Sequence, residues 1–74
     1  MRRRLIEARK KAKLSQTQIA LKAGIARSTY THIERGSRSP SLEAAWRIAR
    51  VLGESIESLF FSEEVAEKKE AASQ

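Results

Sequence analysis

Residues 16–35, QTQIALKAGIARSTYTHIER, decide the fold of this chain. On both sides of Gly24 the apolar side chains recur three and four residues apart, which predicts two short amphipathic helices joined by a tight turn. Gly24 supplies the positive φ that such a turn needs. The outer face of the second helix carries Arg27, Ser28, Thr31, His32 and Arg35. Side chains of these types bond to phosphates and base edges, so the stretch predicts contact with nucleic acid.

The stretch lies within a longer pattern of four segments: LSQTQIA at 14–20, AGIARSTYTHIERG at 23–36, SPSLEAAWRIARVLG at 39–53 and SIESLF at 55–60. In this order and spacing they resemble the lambda-repressor-like (Cro/CI-type) helix-turn-helix DNA-binding domain, from about Leu5 to about Phe60. The resemblance implies an all-α, compact five-helix fold, with a C-terminal helical extension as a further option.

The length and composition are typical of a small intracellular protein. Its 74 residues suffice for one domain with a small core. Cysteine is absent, which excludes disulfides and thiolate metal sites. No apolar run approaches the ~20 residues of a membrane span, and the basic N-terminus lacks the apolar core of a signal peptide. We therefore expect a cytoplasmic, nucleoid-associated protein without a membrane partner.

The net charge of +6 is unevenly distributed. Residues 1–50 hold 13 Lys and Arg against three Glu, whereas residues 51–74 hold two Lys against six Glu. This polarity indicates a body that binds polyanions and an acidic end that faces elsewhere, with simple solubilisation as the alternative. We expect a DNA-binding domain over 1–61 and a charged tail, partly helical or disordered, over 62–74.

Local signals predict where the helices begin and end. Ser15 and Gln18 form a capping-box pattern at the start of the second helix. Lys13 stands where the family usually has glycine, so we expect the first helix to end differently here. Ala26 stands where the family usually has a capping Ser or Thr, so we expect Ser28 or Thr29 to substitute, or the helix to start later.

The periodicity also predicts the core. Leu42, Ala45, Ala49 and Leu52, joined by Ile48, form a stripe that is expected to face inward from the fourth helix. Trp46, where the family usually has an aliphatic residue, is expected in the core with them, as is Tyr30.

The resemblance implies further roles for single residues. An arginine at the position of Arg9 pairs with a glutamate at the position of Glu34 and joins the first helix to the third. Gln16 would lie against the DNA backbone and brace a residue of the third helix; the alternative is an ordinary exposed glutamine. Arg38 sits where the family contacts phosphates, with plain solvation as its alternative.

A helix in the major groove places its first residues nearest the base edges. Here these are Arg27, Ser28 and Thr29, with Thr31 and His32 one turn further on and Arg35 beyond. Arg27 would form a bidentate contact to guanine or hold a phosphate. His32, the only histidine, lacks a second metal ligand or a catalytic companion nearby. We therefore expect no enzyme activity, metal or cofactor.

These observations favour a sequence-specific regulator that binds double-stranded DNA and acts as a repressor. Two copies of the third helix about 34 Å apart would reach successive major grooves, which predicts a homodimer on an inverted repeat. Phe60, Phe61 and Val65 are the expected dimer contacts. An antitoxin or interaction module that binds a protein through its acidic end is the alternative, and RNA binding is less favoured because the aromatic platforms of RNA modules are missing.

Overall fold

The computed structural model describes residues 1–61, and this part of the chain contains helices and no strand. The bounds of the helices are α1 Arg3–Lys11, α2 Gln16–Ala23, α3 Arg27–Arg35, α4 Leu42–Leu52 and α5 Glu57–Phe61. The last is a single π-helical turn. The predicted all-α class with five helices is confirmed. The predictions for the tail, including the helical extension and Val65, lie outside the described residues.

The core is formed by one or two large side chains from each helix. The largest fully buried side chains are Leu5, Ile19, Tyr30, Ile33 and Ile48, and α5 adds Leu59 and Phe60. Buried alanines lie on both α2 and α4, which allows these two helices to approach closely. As a result α2 packs against both α3 and α4, and α3 is held at the edge of the domain with one face outward.

The start of α2 follows its local signals. The Ser15 hydroxyl accepts from the Gln18 backbone N–H at 3.0 Å, and the Gln18 side chain accepts from the Ser15 N–H at 2.8 Å. The capping box is therefore complete. Gly24 ends α2 with φ 71°, a left-handed conformation that favours glycine.

The end of α1 differs from our expectation. Lys13 adopts φ 61°, so the family's left-handed residue is kept although glycine is replaced. The Leu14 N–H donates to the Arg9 carbonyl at 3.2 Å, and the Lys13 N–H donates to the Lys10 carbonyl at 2.9 Å. This is the bond pattern of a Schellman motif, which satisfies two helix-end carbonyls and offsets the cost of a left-handed lysine.

The predicted bounds of α3, from Arg27 to Arg35, are found, but the expected substitute for the missing cap is not. The helix begins at Arg27 with Ala26 as its N-cap, and no side chain accepts from the first turn. Neither Ser28 nor Thr29 replaces the missing cap, because both residues already lie inside the helix. The packing of α3 against α1 and α2 therefore fixes this start without help from a cap.

Three predictions of burial are wrong. Trp46 is 50% exposed and Leu42 is 78% exposed, whereas Ala44 lies in the core. The inward face of α4 thus keeps the predicted Ala45, Ile48 and Ala49, but it extends to Ala44 instead of Leu42. Phe60, expected at a dimer surface, is 4% exposed and packs in the core, so its ring is not available to a second protomer.

Candidate nucleic-acid interface

One face of α3 remains exposed after the helix has packed. At 3.6 residues per turn, Arg27, Thr31 and Arg35 follow one line along the helix, with Ser28 and His32 beside it. Four of these five side chains are exposed and Thr31 is half-buried. The opposite face holds Tyr30, Ile33 and Glu34, all buried. We call this set of five residues the α3 stripe.

Thr29 is separated from the α3 stripe. It is half-buried and lies on the flank of α3 that leads to Ile33, four residues on. The structure therefore brings together Arg27, Ser28, Thr31, His32 and Arg35, but directs Thr29 to the side. Arg38 is exposed in the loop that follows α3.

The carboxylate of Glu34 holds the inner side of α3. It is 3% exposed and accepts hydrogen bonds from three helices. Arg9 of α1 donates from Nε to Oε2 at 2.7 Å and from Nη2 to Oε1 at 3.2 Å. The Tyr30 hydroxyl donates to Oε2 at 2.7 Å, and Gln16 of α2 donates from Nε2 to Oε1 at 2.9 Å. The ion pair that the resemblance implied between Arg9 and Glu34 is thus present, within a larger network.

The network changes the proton affinity of its members. Burial by itself raises the pKa of Glu34, but the hydrogen bonds from Arg9, Tyr30 and Gln16 outweigh burial and lower the pKa from its ordinary 4.5. Burial, together with the hydrogen bond to Glu34, raises the pKa of Tyr30. The hydrogen bond to Glu34 also raises the pKa of Arg9. Glu34 is therefore a carboxylate, and Tyr30 a phenol, at neutral pH.

Gln16 connects this network to the exposed face. Its amide nitrogen is held by Glu34, and its amide oxygen lies 3.5 Å from the hydroxyl of Thr31, at the limit of a hydrogen bond. Gln16 is half-buried rather than an ordinary exposed glutamine. A buried ion pair thus fixes a polar side chain next to Thr31 of the α3 stripe.

The end of α3 is closed by two further groups. The backbone N–H of Arg2 donates to the Glu34 carbonyl at 2.9 Å. The side-chain Nε of Arg2 donates to the Ile33 carbonyl, also at 2.9 Å. The Ser37 hydroxyl donates to the His32 carbonyl at 3.2 Å and lies 3.3 Å from His32 Nδ1. These bonds satisfy carbonyls that a helix end leaves without partners, and they orient the imidazole.

Two of these positions were missed by sequence reasoning. Arg2 is one of three consecutive arginines, and no local signal separates it from Arg3 and Arg4. The sequence predicts Tyr30 in the core because of its apolar ring, but it does not predict the bond to Glu34, although an i, i+4 pair on one helix brings the two side chains together.

Within residues 1–61, no group of three His, Cys, Asp or Glu side chains is placed to hold a metal ion. The helices of residues 1–61 are too short and too polar to span a lipid bilayer.

Known proteins resemble this chain over most of its length. Residues 5–59 match the family model described as helix-turn-helix. The chain is 39% identical over 71 residues to an uncharacterized HTH-type transcriptional regulator of Archaeoglobus fulgidus, covering 93% of this chain and all of that protein. A second such regulator of that organism is 43% identical over 60 residues, which is 81% of this chain and 86% of the relative.

A further uncharacterized HTH-type transcriptional regulator, from Methanothermobacter thermautotrophicus, is 45% identical over 65 residues, covering 86% of this chain and 94% of the relative. No solved structure matches the chain.

Proposed function

Because the chain belongs to the helix-turn-helix family of DNA-binding transcriptional regulators, we propose that it is a cytoplasmic repressor that binds an inverted repeat as a homodimer. The observation that carries this proposal is the α3 stripe. It combines two arginines, two hydroxyls and one imidazole on the outside of a helix whose inner side is fixed by Glu34. The family is one of regulators rather than of enzymes.

We assign base contacts to the first half of α3. Arg27 lies at its first position and is exposed, which suits a bidentate contact to guanine in the major groove. Ser28, Thr31 and His32 would contact neighbouring base edges or phosphates. Thr29, because of its position on the flank, is given a phosphate contact at most.

We assign backbone contacts to the residues around α3. Gln16 at the start of α2, with Arg35 and Arg38, would bind phosphates and fix the orientation of α3 in the groove. The network at Glu34 supports this role of Gln16, because it holds the amide in one position before DNA arrives.

We place the dimer contacts at the end of α5. Phe61 is half-buried and follows the buried Phe60, with their ring centroids 6.4 Å apart. Its outer side, with Val65 beyond the described residues, would meet the same surface of a second protomer around a twofold axis. Phe60 is left out because its ring already packs in the core.

The assignment of bases and phosphates is tested by two arginine variants. Arg27→Ala should relax sequence preference, and lose about 1–3 kcal/mol of discrimination at the base pair it contacts. Arg38→Ala should weaken binding to all duplexes alike, because a phosphate contact carries no sequence information. Affinities for a selected site and for its single-base variants separate the two. Equal loss from both substitutions on every duplex would contradict the assignment.

The dimer is tested by sedimentation of the protein with a duplex that holds an inverted repeat. We expect two protomers per site, and a shift towards single protomers for Phe61→Ser. One wild-type protomer per site would contradict the homodimer.

The alternative function, an antitoxin or interaction module, depends on residues 62–74, which lie outside the described residues, and it stays a prediction.

A further inference from the structure

The turn between α1 and α2 holds a lysine in a backbone conformation that favours glycine. Lys13 has φ 61°, and among residues 1–61 it is the one residue other than glycine with a positive φ. The residue is exposed, and the two hydrogen bonds that close the turn join backbone groups. Glycine would form the same bonds without the steric cost, so these bonds explain the turn but do not explain the lysine.

Stabilisation of the end of α1 does not explain the lysine either. A cation near a helix C-terminus interacts favourably with the helix dipole, but the effect falls off within the last turn. That turn already carries three cations, Arg9, Lys10 and Lys11, whereas Lys13 lies beyond the end of the helix. Backbone strain that persists without a structural benefit points to a role in function.

The turn is fastened to the surface that is proposed to meet DNA. Arg9 donates from Nη1 to the Leu14 carbonyl at 2.9 Å, and from Nε to the Glu34 carboxylate at 2.7 Å. Gln16, three residues after Lys13, also donates to Glu34 and lies beside the α3 stripe. The backbone of Lys13 is therefore held in a fixed position relative to α3.

We propose that Lys13 binds a phosphate of the duplex, next to the phosphate assigned to Gln16. The inference rests on the docking of α3 in the major groove that is proposed above. Three residues of chain span at most about 10 Å, and the lysine side chain adds a long, flexible stem, so its ammonium can reach a neighbouring phosphate. Lysine binds phosphate as a point charge, which requires no fixed plane of donors.

The contact would give the domain phosphate contacts from two separate parts of the chain. Arg35 and Arg38 belong to the end of α3 and the loop after it, whereas Lys13 and Gln16 belong to the start of α2 and the turn before it. Phosphate contacts fix register and orientation on the duplex without reading its sequence. Lys13 would therefore raise the affinity for all duplexes alike.

One substitution should change stability and DNA affinity in opposite directions. Lys13→Gly relieves the left-handed strain, so we expect its midpoint of thermal unfolding to rise by about 4 °C. The same substitution removes the ammonium, so its affinity should fall for a selected site and for unrelated duplexes alike. The slope of log affinity against log salt should become shallower by about 0.9 per protomer.

Two further variants separate the charge from the backbone strain. Lys13→Gln keeps a long side chain and the left-handed backbone but lacks the charge, so it should lose the same affinity without a gain in the unfolding midpoint. Lys13→Arg keeps the charge and should bind duplexes as the wild type does. The matched control is Lys22→Gln, which removes one charge from an exposed position in the last turn of α2 and should leave the slope unchanged.

Fluorescence anisotropy of a labelled duplex over a range of salt decides the proposal. Wild-type affinity and slope in both Lys13→Gly and Lys13→Gln would overturn it. An equal loss in Lys22→Gln would also overturn it, because the effect would then belong to the overall charge of the domain. A lower unfolding midpoint in Lys13→Gln with unchanged binding would assign the lysine to the dipole of α1 instead. Failure of the wild type to bind any duplex would overturn the proposed function together with this inference.

Discussion

Glu34 connects three helices through a single carboxylate. Its partners are Arg9 on α1, Gln16 on α2 and Tyr30 on α3 itself. A buried carboxylate without partners would cost far more than it contributes, whereas this one has all of its strong acceptor sites in use. The orientation of α3, and with it the α3 stripe, therefore depends on this group.

Removal of one hydrogen bond to Glu34 measures how much the network contributes to the free energy of unfolding. Tyr30→Phe keeps the buried ring but deletes the hydroxyl that donates to the carboxylate at 2.7 Å. We expect a loss of about 1.5–3 kcal/mol in the free energy of unfolding, the range for hydrogen bonds to charged groups. Urea denaturation measures this free energy. The control is Ser39→Ala, which removes an exposed hydroxyl from the loop before α4. Equal small losses in both variants would count against the network.

Acid should destabilise the protein through Glu34. Its pKa in the folded state is below the ordinary 4.5, so its contribution is complete above that pH and is lost as the pH falls through the lower folded value. The wild type should therefore lose more stability on acidification than Glu34→Gln, which has no proton to bind. Tyr30→Phe, with one bond fewer, should lose an intermediate amount. Parallel pH profiles of unfolding for all three chains would contradict this origin.

Substitution of Arg9 tests the ion pair with Glu34 without any change of pH. Arg9→Ala leaves the buried Glu34 without its charged partner, and breaking such a pair costs about 3–5 kcal/mol. The side chain of Arg9 keeps 13% of its surface exposed, so the lower end of that range is expected. Thermal unfolding of Arg9→Ala and Lys10→Ala, an exposed neighbour, compares the two directly. An unchanged unfolding midpoint for Arg9→Ala would contradict a structural ion pair.

At the scale of a helix, the starts of α3 and α4 differ in one side chain. The Ser41 hydroxyl accepts from the Ala44 N–H at 3.1 Å, whereas Ala26 offers no acceptor to the first turn of α3. Both N-cap residues have extended backbone, so the missing oxygen is the main difference between them. The domain thus carries an element whose start is fixed by tertiary contacts alone.

An added cap should stabilise α3. We expect Ala26→Ser to raise the free energy of unfolding by about 1 kcal/mol, and Ser41→Ala to lower it by a similar amount. The two substitutions are the reverse of each other at comparable sites, so each serves as the control for the other in denaturant unfolding. No gain from Ala26→Ser, together with a clear loss from Ser41→Ala, would mean that α3 cannot accept a conventional cap.

At the scale of the whole molecule, charge is separated along the chain. The first 50 residues carry a formal charge of +10 and the last 24 carry −4, and the arginines of the α3 stripe and its following loop belong to the positive part. Such a body attracts any polyanion, and only the contacts of α3 to base edges would make the attraction specific.

Duplex binding should therefore weaken steeply with salt. Each neutralised phosphate contributes about −0.9 to the slope of log affinity against log salt, and six to ten contacts would cost 10³–10⁵ in affinity between about 50 and 200 mM. Fluorescence anisotropy of a labelled duplex measures the slope. Arg38→Gln should make the slope shallower by about 0.9 per protomer, and Glu43→Gln should not. A slope near zero for the wild type would contradict phosphate binding.

Much of this architecture was predictable from local signals. The capping box at Ser15, the left-handed Gly24 and the apolar spacing place α2 and α3 within the sequence, because caps and periodicity act over a few residues. The exposed set on α3 follows from the same periodicity. The pairing of Arg9 with Glu34 came only from the resemblance to a family, since nothing local joins residues 25 positions apart.

The side of each helix that faces the core, and the polar groups that meet there, depend on how the helices pack together. Periodicity shows which side chains share a face of α4, but the packing of the helix decides that Ala44 is buried while Trp46 and Leu42 stay outside. The burial of Phe60, the junction of Gln16 with Glu34, and the closure of α3 by Arg2 likewise depend on distant segments. A helix is a local structure, whereas its burial and its long-range hydrogen bonds are set by its neighbours.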